Sequence, residues 1–153
     1  VTQEWFYAVK GKGAFTGNGK RLTASNSHLL KESWVDMNQF GDSSLESEVF
    51  AKLRTSLRSK VGARLVTTHV PHSAIAMRIL DGTTGLSAVI HDNNKQKVKQ
   101  ASWDVAAPKL IVEEAGGTIL SLRGEPYDIF SPEPFVIANS QELAEQIIQL
   151  TSN

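Results

Sequence analysis

One run of fifteen residues, Trp103 to Gly117 (WDVAAPKLIVEEAGG), constrains the fold more than any other part of the chain. Asp104 to Ala115 reads as a helix. Gly116-Gly117 stops it, because glycine reaches the left-handed conformation that closes a helix. Thr118 to Leu122 then reads as a strand, so the chain turns at the glycine pair and runs back. A helix start carries partial positive charge, which favours an anion such as Asp104 there. Ala106 and Ala107 add little bulk, so a ligand or another backbone can come close. Taken by itself, an Asp in this place is an ordinary N-cap.

The neighbouring segments extend the pattern. Ala63 to Thr68 reads as a strand, Ser73 to Leu80 as a short helix, Asp81 to Gly85 as a turn and Leu86 to His91 as a strand. Phe135 to Ala138 is a short buried strand. Ser140 caps a last helix with Leu143, Ile147 and Leu150 on one face. Strands and helices alternating over the last ninety residues predict an α/β domain: a mixed central sheet with flanking helices. Before it, Ser33 to Gln39 reads as a strand. Ser43 to Lys60 has helical spacing, with Leu45, Val49, Leu53 and Leu57 on one face and Ser43 and Glu46 as a capping box. Glu4 to Lys10 and the glycines at 11, 13, 17 and 19 predict an N-terminal β-ribbon.

Composition narrows the function classes. The chain has 153 residues, the size of one domain, and 41% of them are apolar. Sixteen Lys and Arg balance sixteen Asp and Glu, which argues against a nucleic-acid polymer or a membrane surface as partner. The absence of cysteine excludes a disulfide scaffold, a thiolate metal site and a cysteine nucleophile. No apolar run approaches the roughly 20 residues of a membrane helix, and no signal-peptide pattern opens the chain. These features predict a cytoplasmic protein. The chain starts without Met on strand-like residues, which suggests a start in the middle of a larger protein.

The Trp103–Gly117 run resembles the second signature of the inositol monophosphatase superfamily, W-D-x-A-A-x-x-x-I-x-x-E-A-G-G. That superfamily includes inositol monophosphatases, bisphosphate nucleotidases and fructose-bisphosphatase-like enzymes. Tyr7 to Leu22 is similar to its G-x-G-A-F-x-N-G hairpin, with one extra residue between Phe15 and Asn18. Gly124 to Asp128 and Phe135 to Asn139 are similar to its C-terminal G-x-P-x-D loop and following strand. The resemblance covers nearly the whole chain and places it as the C-terminal half of an inositol-monophosphatase-like αβαβα fold.

The resemblance implies Mg²⁺-dependent hydrolysis of a phosphomonoester in a small phosphorylated metabolite, by metal-activated water. Asp104 is then a metal ligand, and Ser73 and Ala74 contact substrate from the helix after the Ala63–Thr68 strand. His72 stands where the family has Gly, which narrows the backbone's approach. Inositol-specific members carry an acidic residue before the Trp-Asp pair. Lys97 occupies that stretch here and suits a second phosphate, so a bisphosphate substrate is expected. Asp104 and Trp103 should work together, with Trp103 packed behind the carboxylate.

The family's first signature, D-P-x-D-G-T-x-N-F, does not occur in the chain. Arg78 to Leu86 shares only its D-G-T-T core, and Arg78 falls where a metal-binding Asp belongs; the segment reads instead as a turn from helix to strand. The missing N-terminal half is therefore the expected partner. The chain alone should bind Mg²⁺ weakly and hydrolyse little. Its face toward that half should be apolar, which predicts aggregation or a homo-oligomer. The rival reading is a non-catalytic module of the same fold that binds an anion or a partner. A third is a two-chain enzyme. His69 and His72 do not read as a zinc pair, because Pro71 breaks the geometry. Glu113 and Glu114 read as helix-surface and helix-end carboxylates.

Overall fold

Every residue from Leu86 to His91 is buried. A strand hidden on both faces must sit inside a sheet with a layer on each side. The computed structural model describes residues 4–24, 29–38, 48–67, 72–81, 86–92, 102–131 and 133–151, and for residues 72–75 and 81 the backbone only. The described strands are β1 (Phe6–Val9), β2 (Gly13–Thr16), β3 (Trp34–Asn38), β4 (Arg64–Val66), β5 (Leu86–His91), β6 (Thr118–Ser121) and β7 (Phe135–Ala138). The helices are α1 (Glu48–Ser56), α2 (His72–Asp81), α3 (Ser102–Glu114) and α4 (Gln141–Gln149).

Five strands form one sheet in the order β4-β3-β5-β7-β6. Strand β3 lies parallel to β4 and β5, while β7 runs antiparallel to β5 and β6. Side chains alternate between the two faces. Val89, Phe135 and Ile137 join a core with α2 and α3. Ala88, Ile90, Val136 and Ala138 join a second core with α1 and α4. Phe50, Phe135, Ile137 and Ile147 are completely buried, and each such side chain contributes on the order of 1.5–3 kcal/mol over an exposed one. The ribbon of β1 and β2 packs on α3 from outside through Phe6, Ala8 and Ala14. The layers are therefore ribbon, α2 with α3, sheet, and α1 with α4. This is the expected mixed α/β architecture.

Local chemistry explains the element ends. Ser140 Oγ accepts the Leu143 N–H at 3.2 Å and starts α4 as expected. At the end of α3, Gly117 donates to the Val112 carbonyl and Gly116 to that of Glu113, with Gly116 at φ +93°. That double bond is the left-handed helix stop expected of the glycine pair. Gly117 is needed for another reason: a Cβ there would stand 2.8 Å from the Ala138 carbonyl and 2.8 Å from Val112 Cγ1.

Helix α1 departs from its expected face. Its buried hydrophobic residues are Phe50 and Leu53, continued by Leu57 in a π-helical turn (Leu57–Val61), whereas Val49 is 45% exposed. Phe50, bulkier than Val49, takes the core position, and the buried stripe runs i, i+3, i+7. Ser43, Leu45 and Glu46 lie outside the described residues.

Glu114 fastens the ribbon. Its carboxylate accepts the Gly11 N–H at 2.6 Å and the Gly13 N–H at 2.8 Å. Gly11 and Gly13 have φ of +75° and +100°, a conformation in which glycine meets no steric penalty. These bonds hold the Glu114 carboxyl below the usual carboxylate range, Gly11 contributing most and Gly13 next. Glu113 pairs instead with Lys109, one helical turn earlier.

Candidate functional site

The connections define one busy edge of the sheet. Strand β4 leads into α2 and β5 into α3, and both helices run back against the parallel strands. They pack against each other. Their N-termini therefore share the edge at which β3, β4 and β5 end. In open α/β sheets, that is the edge where ligands bind, because helix N-termini and strand ends converge there.

Asp104 stands at this edge, the third residue of α3, with its side chain exposed. It lies inside the first turn rather than in the cap position, so the N-cap reading of this residue does not hold. Ser73 and Ala74 fall in the first turn of α2, at the same edge, and their backbone alone is described. Lys97 lies outside the described residues, as does His69. The structure therefore brings Asp104, Ser73 and Ala74 to one edge.

The expectation for Trp103 is overturned. It is 80% exposed and does not pack behind Asp104. As the second residue of α3 it points away from the core. Val105, 1% exposed within the α2–α3 core, anchors the helix start in its place. The D-G-T-T segment falls elsewhere: Asp81 ends α2, which puts it at the opposite edge of the sheet from Asp104. Gly82 to Gly85 lie outside the described residues.

Sequence reasoning missed a buried polar set near the site. Asp36 and Asn38 are each 1% exposed and His91 is 2% exposed. Asn38 and His91 end β3 and β5 and face each other across the parallel pair. The His91 ring stacks on Phe135 with centroids 4.5 Å apart. The signal was present in the alternation Val35-Asp36-Met37-Asn38. Period two sends Val35 and Met37 to the α1–α4 core and the two polar residues to the opposite face. Each member of this set has a polar or ring contact within the fold.

Among the described residues, no three His, Asp or Glu side chains stand close enough to hold a metal ion. The described residues therefore do not make a metal site by themselves; Asp104 could supply one oxygen ligand to a site completed by other residues. No helix of the described residues is long and apolar enough to cross a membrane.

Comparison with known proteins agrees with the motif and the layer order. The model of the inositol monophosphatase family matches residues 1–153. The chain is 31% identical to inositol monophosphatase 1 of Homo sapiens over 153 residues, covering 96% of this chain and 50% of the human one. Among solved structures, an IMPase of Thermotoga maritima superposes with a TM-score of 0.72 at 22% identity, covering 97% of this chain and 51% of the other. A Ca-bound IMPase family protein of Staphylococcus aureus superposes with a TM-score of 0.71 at 19% identity, covering 97% and 51%. The chain thus spans about half the length of the relatives it matches, and it corresponds to their C-terminal part. The signature run, the αβα layers and the family match over all 153 residues agree: the chain belongs to the inositol monophosphatase family.

Proposed function

We propose that this chain is the C-terminal half of a cytoplasmic, Mg²⁺-dependent phosphatase that hydrolyses a phosphomonoester bond in a small phosphorylated metabolite. The observation that carries the reading is the place of Asp104. The family's signature carboxylate lies in the first turn of α3, at the edge where two helix N-termini and three strand ends meet. Helix N-termini favour an anion, so a phosphate approaching this edge meets the positive ends of α2 and α3. Asp104 offers a hard oxygen donor of the kind a divalent cation takes. When bound, such an ion polarises the phosphoryl group and activates water. Ser73 would donate from the α2 turn to the substrate, and Ala74 would leave room for it. Lys97 would select a bisphosphate over a monophosphate through its charge.

The test measures phosphate release from inositol 1-phosphate, adenosine 3′,5′-bisphosphate and fructose 1,6-bisphosphate, with and without Mg²⁺. It compares this chain by itself with a chimera in which the N-terminal half of human inositol monophosphatase 1 precedes Val1. The expected result is turnover by the chimera alone. Asp104→Asn should lower that turnover on the order of 100-fold or more, since even groups behind a metal ligand are worth 10- to 100-fold. Turnover that survives Asp104→Asn would remove Asp104 from the site. A folded chimera without turnover would favour a non-catalytic module.

A further inference from the structure

We propose that Pro108 is a positioning residue for Asp104. It leaves the first turn of α3 hinged on the body of the helix, so that the carboxylate can be re-aimed without breaking the helix behind it. The inference rests on the reading of Asp104 as a site residue.

Pro108 is the seventh residue of α3 and lies inside the helix. Proline has no N–H, and its ring crowds the carbonyl of the residue four positions earlier. That residue is Asp104. The helical bond from position 108 back to position 104 therefore cannot form, whatever other contacts Asp104 makes within the fold. The bond that α3 lacks is the one that would tie the site residue to the turn behind it.

Packing does not account for the choice. The buried stripe of α3 is Val105, Pro108, Ile111 and Val112, at helical spacing. Pro108 holds a place on that stripe, but valine or leucine would fill it with the helical bond intact. Proline is the least favourable residue for a helix interior. A breach of local preference one turn behind the site carboxylate is the pattern of a position where preference yields to function.

The two parts of α3 are held unequally. The body places Ile111, Val112 and Ala115 in the core shared with α2. It also carries the Lys109–Glu113 ion pair and the Glu114 carboxylate bonded to Gly11 and Gly13. The first turn and its continuation have Val105 in that core, while Trp103, Asp104, Ala106 and Ala107 are exposed. A segment with one buried anchor and a missing helical bond is the low-stability end of its element. Val105 is the pivot. The methyl groups of Ala106 and Ala107 add little bulk to resist a shift of the turn, so Asp104 takes one pose in the free protein and another against a bound ligand.

The experiment makes Pro108→Ala and Pro108→Gly in the chimera that carries the human N-terminal half ahead of Val1. It reads the urea midpoint, amide hydrogen exchange at Ala106 and Ala107, and the Mg²⁺ dissociation constant by calorimetry. Pro108→Ala supplies the missing N–H. It should raise the urea midpoint and slow exchange at Ala106 and Ala107 on the order of 10-fold, the worth of one hydrogen bond, and by more than at Ile111 and Val112. Stiffening the turn should also weaken Mg²⁺ binding on the order of 10-fold, as loss of a supporting group does. Pro108→Gly supplies the same N–H on a pliant backbone and should bind Mg²⁺ closer to the parent than the alanine variant does. If Pro108 only fills space, alanine lowers the urea midpoint or fails to fold, and glycine binds Mg²⁺ worse than alanine. Any of these results overturns the proposal, as does unchanged exchange at Ala106 and Ala107. A parent chimera that binds no Mg²⁺ defeats Asp104 as a site residue and the proposal with it. Variants that behave as expected in a chimera that binds Mg²⁺ but releases no phosphate would defeat the proposed function and leave the hinge standing.

Discussion

Strand β7 and strand β1 are both four residues long, yet they are held by different means. Every residue of β7 is buried, it pairs on both edges, and its side chains enter both cores. Strand β1 alternates half-buried and exposed residues and pairs on one edge. The ribbon therefore leans on α3 for its place, through one face and the Glu114 carboxylate. The lesson is that burial on two sides makes a strand part of the global core, while burial on one side makes it a separable unit.

The strongest test of that contrast is Phe135→Ala. Phe135 is completely buried, its ring stacked on His91 and tilted against Tyr127. Its truncation should cost about 3–5 kcal/mol, read as a lower urea midpoint for the whole chain. Val9→Ala on the exposed side of β1 should stay within roughly 0.5 kcal/mol. Equal losses would show that ribbon and core unfold as one unit.

How far the sequence reached follows the same division. The cores were legible because short, mostly apolar runs report strands buried on both faces and helical spacing reports a buried helix face: β5, β7 and α4 lie where their patterns put them. Asp104 stood out in the sequence because a long string that resembles a family signature surrounds it. What failed were inferences about which side a residue faces. Trp103 was expected to pack behind Asp104, but an aromatic side chain's size sets how much burial is worth, not where the helix surface lies. Val49 was expected inside because spacing by four fitted, and Phe50 fitted a competing stripe better. Asp36, Asn38 and His91 were passed over because polar residues within strands look like solvent positions until the layer covering them is known.

Gly117→Ala probes the contact between α3 and the sheet. The new methyl would press on the Ala138 carbonyl and on Val112 at 2.8 Å, and backbone gives little. The expected cost is about 1–3 kcal/mol, shared by the whole domain. At Gly124, where φ is +91° and no atom lies within 4 Å of an added Cβ, the same change costs only backbone strain of roughly 1–2 kcal/mol. Similar losses at both would mean that strain rather than crowding dominates at Gly117. Ser140→Ala is smaller again. It removes the oxygen that accepts the Leu143 N–H and should cost about 1 kcal/mol, visible as fraying of α4 in amide exchange before any change in β7.

The last test separates the ribbon from the core without touching either. A helix C-terminus is electronegative, so acidic residues in its last turn are disfavoured unless a partner offsets them. Helix α3 ends on two glutamates and has no basic residue in its last turn. Lys109 offsets Glu113, and the Gly11 and Gly13 amides offset Glu114. Because those amides hold the Glu114 carboxyl below its ordinary value, the folded state binds its proton less readily than the unfolded one. The clasp is therefore fully effective above the ordinary carboxylate range and weakens as pH falls through the folded value. Lowering pH from 7 toward 3 should raise amide exchange at Gly11 and Gly13 well before the amides of β7 respond. Glu114→Gln should make ribbon exchange faster at neutral pH and nearly independent of acid. If acid loosened β7 and the ribbon together, or if Glu114→Gln kept the acid response, the ribbon would not be the separable unit its one-sided burial describes, and another carboxylate would govern its attachment.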